Sequence, residues 1–307
     1  MSVLSLSGAP KVTLRHHRLT LRFFTATVTL GAALVVVLAV LASGSAEAEP
    51  ETTRFGKGVL DYLLLAAQTP MNVLPLLVGA FVAGPLVARE LESGTYTWLW
   101  TQSVTPVRWL ATKVVIATVV TTVGSGVTAA ALRLALENAA TPRFTLLTEG
   151  TYGMVGPVAV GYSLLGVGLG VPIGLLMRRT VPAMVVTAVA VGAVNLVFFT
   201  GLRDTLWPVE TMVSKSDIRG SGPHHVVESG LMSATGTRVP ESVCLAAGQS
   251  TEECAAAHDA VSFYADVHPE SHFWPMQLIE TGILVTVAAV AVAVAFRVLN
   301  KRHNGAT

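Results

Sequence analysis

Few side chains in this sequence are suited to chemistry, and those lie near the carboxyl end. Glu280 is the one acid within a long apolar run, residues 274–296. A carboxylate at membrane depth is a functional candidate because its charge is costly to place there; the alternative is a side chain that extends to the nearby interface. His268 and His272 precede it. One hypothesis is an intramembrane enzyme that uses Glu280 and these histidines, although the apolar runs contain no paired catalytic residues.

Cys244 and Cys254 are the two cysteines of the chain, and both lie in its most polar segment. They could bind zinc together with His268 and His272, or they could bond to each other. The spacing matches no standard zinc finger and Pro269 interrupts the histidine pair, so we expect a disulfide and no metal site. A disulfide that closes a loop of about ten residues would stabilise this segment by roughly 2–3 kcal/mol.

Common motifs for nucleotide binding and hydrolysis are absent from the sequence. There is no G-x-x-x-x-G-K-[ST] phosphate loop, no H-E-x-x-H pair and no G-x-S-x-G elbow. We therefore expect no catalytic activity and no cofactor in this chain. No block of basic residues is long enough to indicate a nucleic-acid partner.

The composition indicates an integral membrane protein. Of the 307 residues, 52% are hydrophobic and 13% are charged, about half the charge of an average soluble domain. A helix needs about 20 apolar residues to cross the hydrocarbon. Six runs are candidates for such helices: Phe23–Ala46, Tyr62–Ala88, Val114–Leu132, Gly150–Met177, Thr180–Leu202 and Trp274–Phe296. The first run could instead be a signal peptide, but its length favours a retained membrane anchor.

Basic residues predict the orientation of these spans, because Lys and Arg collect on the cytoplasmic side. With the amino terminus inside, the cytoplasmic segments hold 12 Lys and Arg residues and the short outer loops hold 4. The prediction is an all-α integral membrane protein with six transmembrane helices and both termini in the cytoplasm. Its parts are a basic interfacial helix or plain positive flank at 1–22, spans one to five at 23–202, a small extracellular cap at 203–273, span six at 274–296 and a cytoplasmic tail at 297–307.

A polar, charged island at 86–113 separates the second apolar run from the third. Arg89–Glu92 should extend the second helix, and Gly94 should end it because glycine adopts the left-handed conformation readily. Thr105 and Pro106 are typical of a helix cap and a first turn. The island is either a docking surface for a cytoplasmic protein or an interfacial turn whose tryptophans lie at headgroup depth.

The fourth apolar run is rich in glycine. Gly166, Gly170 and Gly174 recur at intervals of four residues and therefore lie on one face of a helix. Residues without side chains allow a second helix to approach closely. We expect this face to pack against another helix, either as static packing or as a sliding or dimerising surface.

Four segments of the chain carry distinctive patterns: RELESGT at 89–95, WTQSVTPVRWLATK at 100–113, LRHHR at 14–18 and VHPESHFWPMQLIETG at 267–282. Together they resemble the permease subunits of bacterial type-2, export-type ABC transporters. LRHHR departs from the family's W-R-Q-H-R pattern, since Leu14 and His16 replace the tryptophan and the glutamine. The four segments follow the family's order and span the chain, whereas the middle of the loop at 203–273 matches no family pattern.

The resemblance implies six spans per subunit and a pair of such subunits, either a homodimer or two paralogues. It also implies a cytoplasmic ABC ATPase as partner, which would bind ATP and Mg²⁺. The first cytoplasmic loop would dock on this ATPase, together with the amino-terminal basic helix. The residues to which the resemblance gives an ATPase-coupling role are Arg89, Glu90, Glu92, Gly94, Thr95, Gln102, Arg108, Arg15 and Arg18.

The predicted function is that of the membrane-spanning permease of an ATP-driven exporter, embedded in the lipid of a bacterial plasma membrane. The alternative is a membrane-anchored sensor or structural protein whose extracellular cap binds a ligand or partner. The two hypotheses differ in which substitutions matter, because the first depends on the island and the second on the cap.

Overall fold

The computed structural model describes residues 84–94, 105–138, 146–147, 149–218 and 224–304. These residues form two compact units. The helical unit contains the described residues up to 138, residues 153–196, and the chain from Glu280 onward. The sheet unit contains the described residues of 141–152 together with those of 197–279.

Helices dominate the described residues. In chain order they are α1 (Gly84–Glu92), α2 (Pro106–Asn138), α3 (Glu149–Tyr152), α4 (Pro157–Met177), α5 (Thr180–Val197), α6 (Glu241–Ala246), α7 (Thr251–Ala257) and α8 (Phe273–Asn304). A π-helical turn, Phe198–Leu202, continues α5, and short 3-10 turns lie at Arg203–Thr205 and Glu270–His272.

Four described helical stretches are long and apolar enough to cross a membrane: Pro106–Leu134, Pro157–Met177, Thr180–Thr205 and Glu270–Lys301. They coincide with the predicted spans three to six. The first predicted span, most of the second and the basic segment 1–22 lie outside the described residues. On α2, Val115, Val119, Val123 and Val127 recur every four residues and are all exposed, which is the pattern of a lipid-facing surface.

The predicted start of the fourth span, at Gly150, is too early. The structure has the short helix α3 there, and α4 begins only at Pro157. Proline suits the first position of a helix because its missing N–H would have no partner there. The preceding Gly156 has a φ of 82°, and this left-handed backbone conformation separates the two helices.

The sheet unit contains four antiparallel strands in the order β1-β4-β2-β3. Their bounds are β1 Glu210–Ser214, β2 His224–Ser233, β3 Arg238–Pro240 and β4 Ala260–Pro269. The prediction of an all-α chain is therefore wrong for this segment. The central strand β4 has the sequence AVSFYADVHP, in which β-branched and aromatic residues favour an extended conformation.

α7 is followed after two residues by the central strand β4. α7 begins with a capping box, in which Ser250 and Glu253 each accept a hydrogen bond from the other's backbone N–H. The helix ends at Ala257, and Asp259 has a left-handed φ of 49°. The β-forming residues then start at Ala260.

Cys244 and Cys254 form a disulfide that joins α6 to α7. Both are buried, in an apolar cluster with Leu231 and Val239 of the sheet. Since the two sulfurs are bonded to each other, they cannot serve as thiolate ligands for zinc. The bond holds α6 and α7 together, and the apolar cluster packs them against the sheet.

Candidate functional site

The polar island begins within α1, in the helical unit. α1 continues through Arg89 to Glu92, as predicted. It stops before Gly94, whose φ of 70° is the left-handed conformation that glycine adopts without strain. The predicted end of this helix is therefore confirmed.

The island ends in the first two turns of α2. Pro106 is the first residue of α2, and the Thr105 hydroxyl accepts a hydrogen bond from the Arg108 backbone N–H at 3.3 Å. This is the predicted helix cap, which supplies an acceptor to one of the N–H groups that the first turn leaves without a helical partner. Two of the residues predicted to couple to an ATPase, Thr95 and Gln102, lie between the two helix ends and outside the described residues. Arg15 and Arg18, in the amino-terminal segment, also lie outside the described residues.

Glu90 connects α1 to α2. Its Oε1 accepts a hydrogen bond from Lys113 Nζ at 2.6 Å, and its Oε2 accepts one from Trp109 Nε1 at 2.7 Å. The Lys113 side chain is 2% exposed and that of Glu90 12%. The carboxylate is therefore turned toward the interior of the helical unit and neutralises a buried ammonium group.

Glu92 connects α1 to α5. Arg178 and Arg179 are the two residues between α4 and α5. Their side chains contain no hydrogen-bond acceptor and so cannot cap α5. The backbone bonding of α5 starts at the Arg179 carbonyl, which accepts the Ala183 N–H. Glu92 Oε2 accepts hydrogen bonds from the Thr180 hydroxyl at 2.5 Å and the Thr180 N–H at 2.9 Å. These bonds lower the pKa of Glu92, and its negative charge suits the positive end of the helix dipole.

An apolar cluster holds four helices together beneath these contacts. It contains Val87 of α1, Trp109 and Leu110 of α2, Leu175 of α4 and Leu299 of α8. The cluster places the end of α1, the start of α2, the end of α4 and the end of α8 side by side. The exposed basic residues of this end, which we call the basic end, are Arg89, Arg108, Arg178, Arg179, Arg297 and Lys301.

The structure thus brings together the described residues predicted to couple to an ATPase, but it gives them different surroundings. Arg89 and Arg108 face solvent, whereas Glu90 and Glu92 contact other helices of the same chain. Sequence reasoning did not assign site roles to Lys113 and Thr180. Lys113 lies four residues after Trp109, on one face of α2, and this spacing is the signal that could have found it.

Glu280, the acid within the sixth predicted span, is fully buried in the helical unit. The Tyr162 hydroxyl of α4 donates a hydrogen bond to its Oε1 at 2.8 Å. The side chain therefore points between helices and does not extend to an interface. Buried polar contacts of this kind bind neighbouring transmembrane helices to each other.

The predicted glycines Gly166, Gly170 and Gly174 are buried in α4. Among the described glycines of α4, however, a different one makes the closest approach to α8. A Cβ on Gly168 would lie 2.5 Å from the Cα of Ala288 in α8 and 2.8 Å from its carbonyl oxygen. Gly168 therefore marks the place where the backbones of α4 and α8 approach most closely among the described glycines.

Two histidines contact each other in the sheet unit. The Nδ1 atoms of His268 and His272 lie 3.2 Å apart, and His268 Nε2 lies 3.1 Å from the carbonyl oxygen of Asp204. A carbonyl only accepts hydrogen bonds, so His268 Nε2 carries the hydrogen and its Nδ1 accepts from His272. His272 Nε2 in turn contacts the Glu210 carboxylate at 3.2 Å.

The sheet unit should lose stability in acid. Burial lowers the pKa of His268 in the folded state, so as pH falls below about 6.5 the unfolded chain binds the proton first and folding is weakened. Thermal unfolding of the purified chain should shift down by about 2–4 °C between about pH 7.5 and 5.5. The shift should shrink in His268→Asn and persist in His258→Asn, which changes an exposed histidine; equal shifts in both variants would contradict the assignment.

Comparison with known proteins places the chain in a family. No curated protein matches the sequence. The sequence profile of the family described as ABC-2 membrane transporter related matches residues 23–203, which is more than half of the 307 residues. Proteins of this family are membrane components of transporters, and membership of the family implies an ABC ATPase partner. The four described apolar helices agree with a multi-pass membrane protein. The chain therefore belongs to the family of ABC-2 membrane transporter related proteins.

Proposed function

We propose that this chain is the membrane-spanning permease of an ATP-driven exporter, and that a separate cytoplasmic ABC ATPase docks at its basic end. The observation that carries the proposal is the connection of the island to the spans. Glu90 joins α1 to Lys113 of α2, and Glu92 joins it to Thr180 of α5. A force applied to the island would therefore reach helices that cross the membrane.

The charge of the basic end supports a cytoplasmic location, because exposed Lys and Arg residues resist translocation. Six spans with both termini in the cytoplasm then place the sheet unit outside. The disulfide of that unit is consistent with an oxidising compartment. The amino-terminal segment 1–22, with Arg15 and Arg18, would lie at the cytoplasmic interface and also meet the ATPase.

ATP and Mg²⁺ would bind to the partner, and this chain would perform no catalysis. Closure of two ATPase subunits on ATP would push on the two islands of a pair of permease chains, which are identical copies or paralogues. The movement would pass into the spans and alternate the access of a pathway between the two permeases. The sheet unit has a cavity of about 40 Å³ beside Ser229, Glu241 and Phe263, which has room for a few water molecules.

Reversal of a charge at the basic end should prevent docking. We expect Arg108→Glu to reduce the ATPase that co-purifies with the tagged chain by about tenfold or more, since like charges that face each other across an interface cost several kcal/mol. The measurement is vanadate-sensitive ATP hydrolysis after gentle purification from the source cells. Lys215→Glu, which reverses an exposed charge in the sheet unit, is the matched control. Equal ATPase recovery from both variants would contradict the proposal.

A further inference from the structure

The two carboxylates at the end of α1 point in different directions. Glu90 and Glu92 are two residues apart, and a helix turns by about 100° per residue, so their side chains are separated by about 200° around the helix axis. One reaches α2 and the other reaches α5. The last turn of α1 is therefore held from both sides.

The contact with α5 replaces a local helix cap. The Arg178 N–H bonds back to the Gly174 carbonyl of α4, and helical bonding in α5 starts at the Arg179 carbonyl. The Thr180 N–H belongs to the first turn, where the helix offers it no acceptor. The acceptor comes from Glu92, 88 residues earlier in the sequence. The start of α5 is thus completed by the end of α1.

We propose that Glu92 and Thr180 are positioning residues that make α5 move together with the island when the ATPase acts. The proposal rests on the proposed function, because it takes the ATPase to push at the basic end. Glu90 links the end of α1 to α2, and the Glu92 contact adds a polar link to the start of α5. With both links in place, a displacement of α1 shifts the starts of α2 and α5, two spans that follow different loops of the chain.

The test measures whether the two helix ends stay together. Nitroxide labels on Ser93→Cys and Val181→Cys would report the distance between the end of α1 and the start of α5 in the full chain, purified with its ATPase. The two natural cysteines are bonded to each other and would not react. Pulsed electron paramagnetic resonance would compare the nucleotide-free complex with the complex trapped by ADP and vanadate.

Thr180→Val removes the hydroxyl bond to Glu92 and leaves the backbone N–H bond, so it weakens the link, whereas Thr180→Ser keeps both bonds. Thr112→Val is the matched control, since among the described residues the Thr112 hydroxyl bonds within its own helix, to the Arg108 carbonyl. We expect an unchanged distance on trapping in the wild type, in Thr180→Ser and in Thr112→Val. In Thr180→Val the distance should change by about 1–2 Å or more, the size of helix shifts at an interface, while the co-purifying ATPase activity stays the same.

Two results would overturn the link while the proposed function stands. One is a wild-type distance that changes on trapping, and the other is a distance that stays fixed both in Thr180→Val and in Glu92→Ala, which removes the acceptor of both bonds. A chain that brings no vanadate-sensitive ATPase would instead overturn the proposed function and the link with it. That result is read before any distance is measured, so the two failures are distinguishable.

Discussion

Gly168→Ala should destabilise the helical unit by about 1–3 kcal/mol, the usual cost of overpacking a tight interior. The added Cβ would lie within 3 Å of the Cα, the Cβ and the carbonyl oxygen of Ala288. Backbone atoms cannot rotate away as the tip of a long side chain can, so α4 and α8 would have to separate. The measurement is the thermal unfolding of the purified chain in detergent.

Gly282→Ala is the matched control for that substitution. Gly282 also lies in a long helix, α8, but a Cβ there would meet no atom within 4 Å. Alanine is the better helix former by up to about 1 kcal/mol, so this variant should be as stable as the wild type or more stable. The close approach of α4 and α8 would be refuted by a Gly168→Ala variant that unfolds at the wild-type temperature.

Glu90→Ala should have a larger effect, a loss of about 3–5 kcal/mol, because removal of one partner of a buried ion pair leaves the other charge without its compensation. The Lys113 ammonium is 2% exposed and would lose a carboxylate oxygen at 2.6 Å. The loss should appear in the same unfolding measurement, together with a smaller yield of folded chain from the membrane.

A double substitution separates the buried charge from the loss of packing. Glu90→Gln with Lys113→Met removes both charges and should recover much of the stability lost in either single variant, because the two effects are coupled. Glu270→Ala, which removes an exposed acid, should change little. If the losses of unfolding free energy in the single variants added up in the double variant, Glu90 and Lys113 would act independently. The ion pair would then contribute nothing to stability beyond the two separate side chains.

Local sequence signals predicted the long helices and two of the helix ends. The long apolar runs correspond to α2, α4, α5 and α8 because their composition alone decides whether a segment can cross a membrane. Gly94 and Thr105 were predictable as helix ends, since the conformation and the hydrogen bond that each provides involve neighbours in the sequence.

Contacts between distant parts of the chain were not predictable in this way. The pairing of β4 with β1 and β2 joins residues up to 57 positions apart in the sequence. The polar composition of the whole loop did not indicate the β-forming residues of each strand. The partners of Glu92 could not be inferred from the sequence. α5 lacks an acceptor for the Thr180 N–H among its neighbours in the sequence, and the acceptor is Glu92, 88 residues earlier.

The glycines of α4 show a further limit of pattern analysis. Spacing by four predicted a helix-packing face at Gly166, Gly170 and Gly174, and all three are buried. It did not predict that Gly168 makes the close approach to Ala288, because α4 carries glycine on more than one face. Which face meets α8 is decided by how the helix is rotated in the unit, and spacing within one helix does not contain that information.

The most direct test of the account places a photo-cross-linking amino acid at position 108 of the tagged chain in intact cells. Arg108 is exposed at the start of α2, within the basic end. The account predicts that irradiation joins this position to a cytoplasmic protein that carries the phosphate loop of an ATPase. The same amino acid at position 243, exposed in the sheet unit, should not join to that protein. Cross-links to an ATPase from position 243, or to none from position 108, would contradict the claim that the basic end is its docking surface.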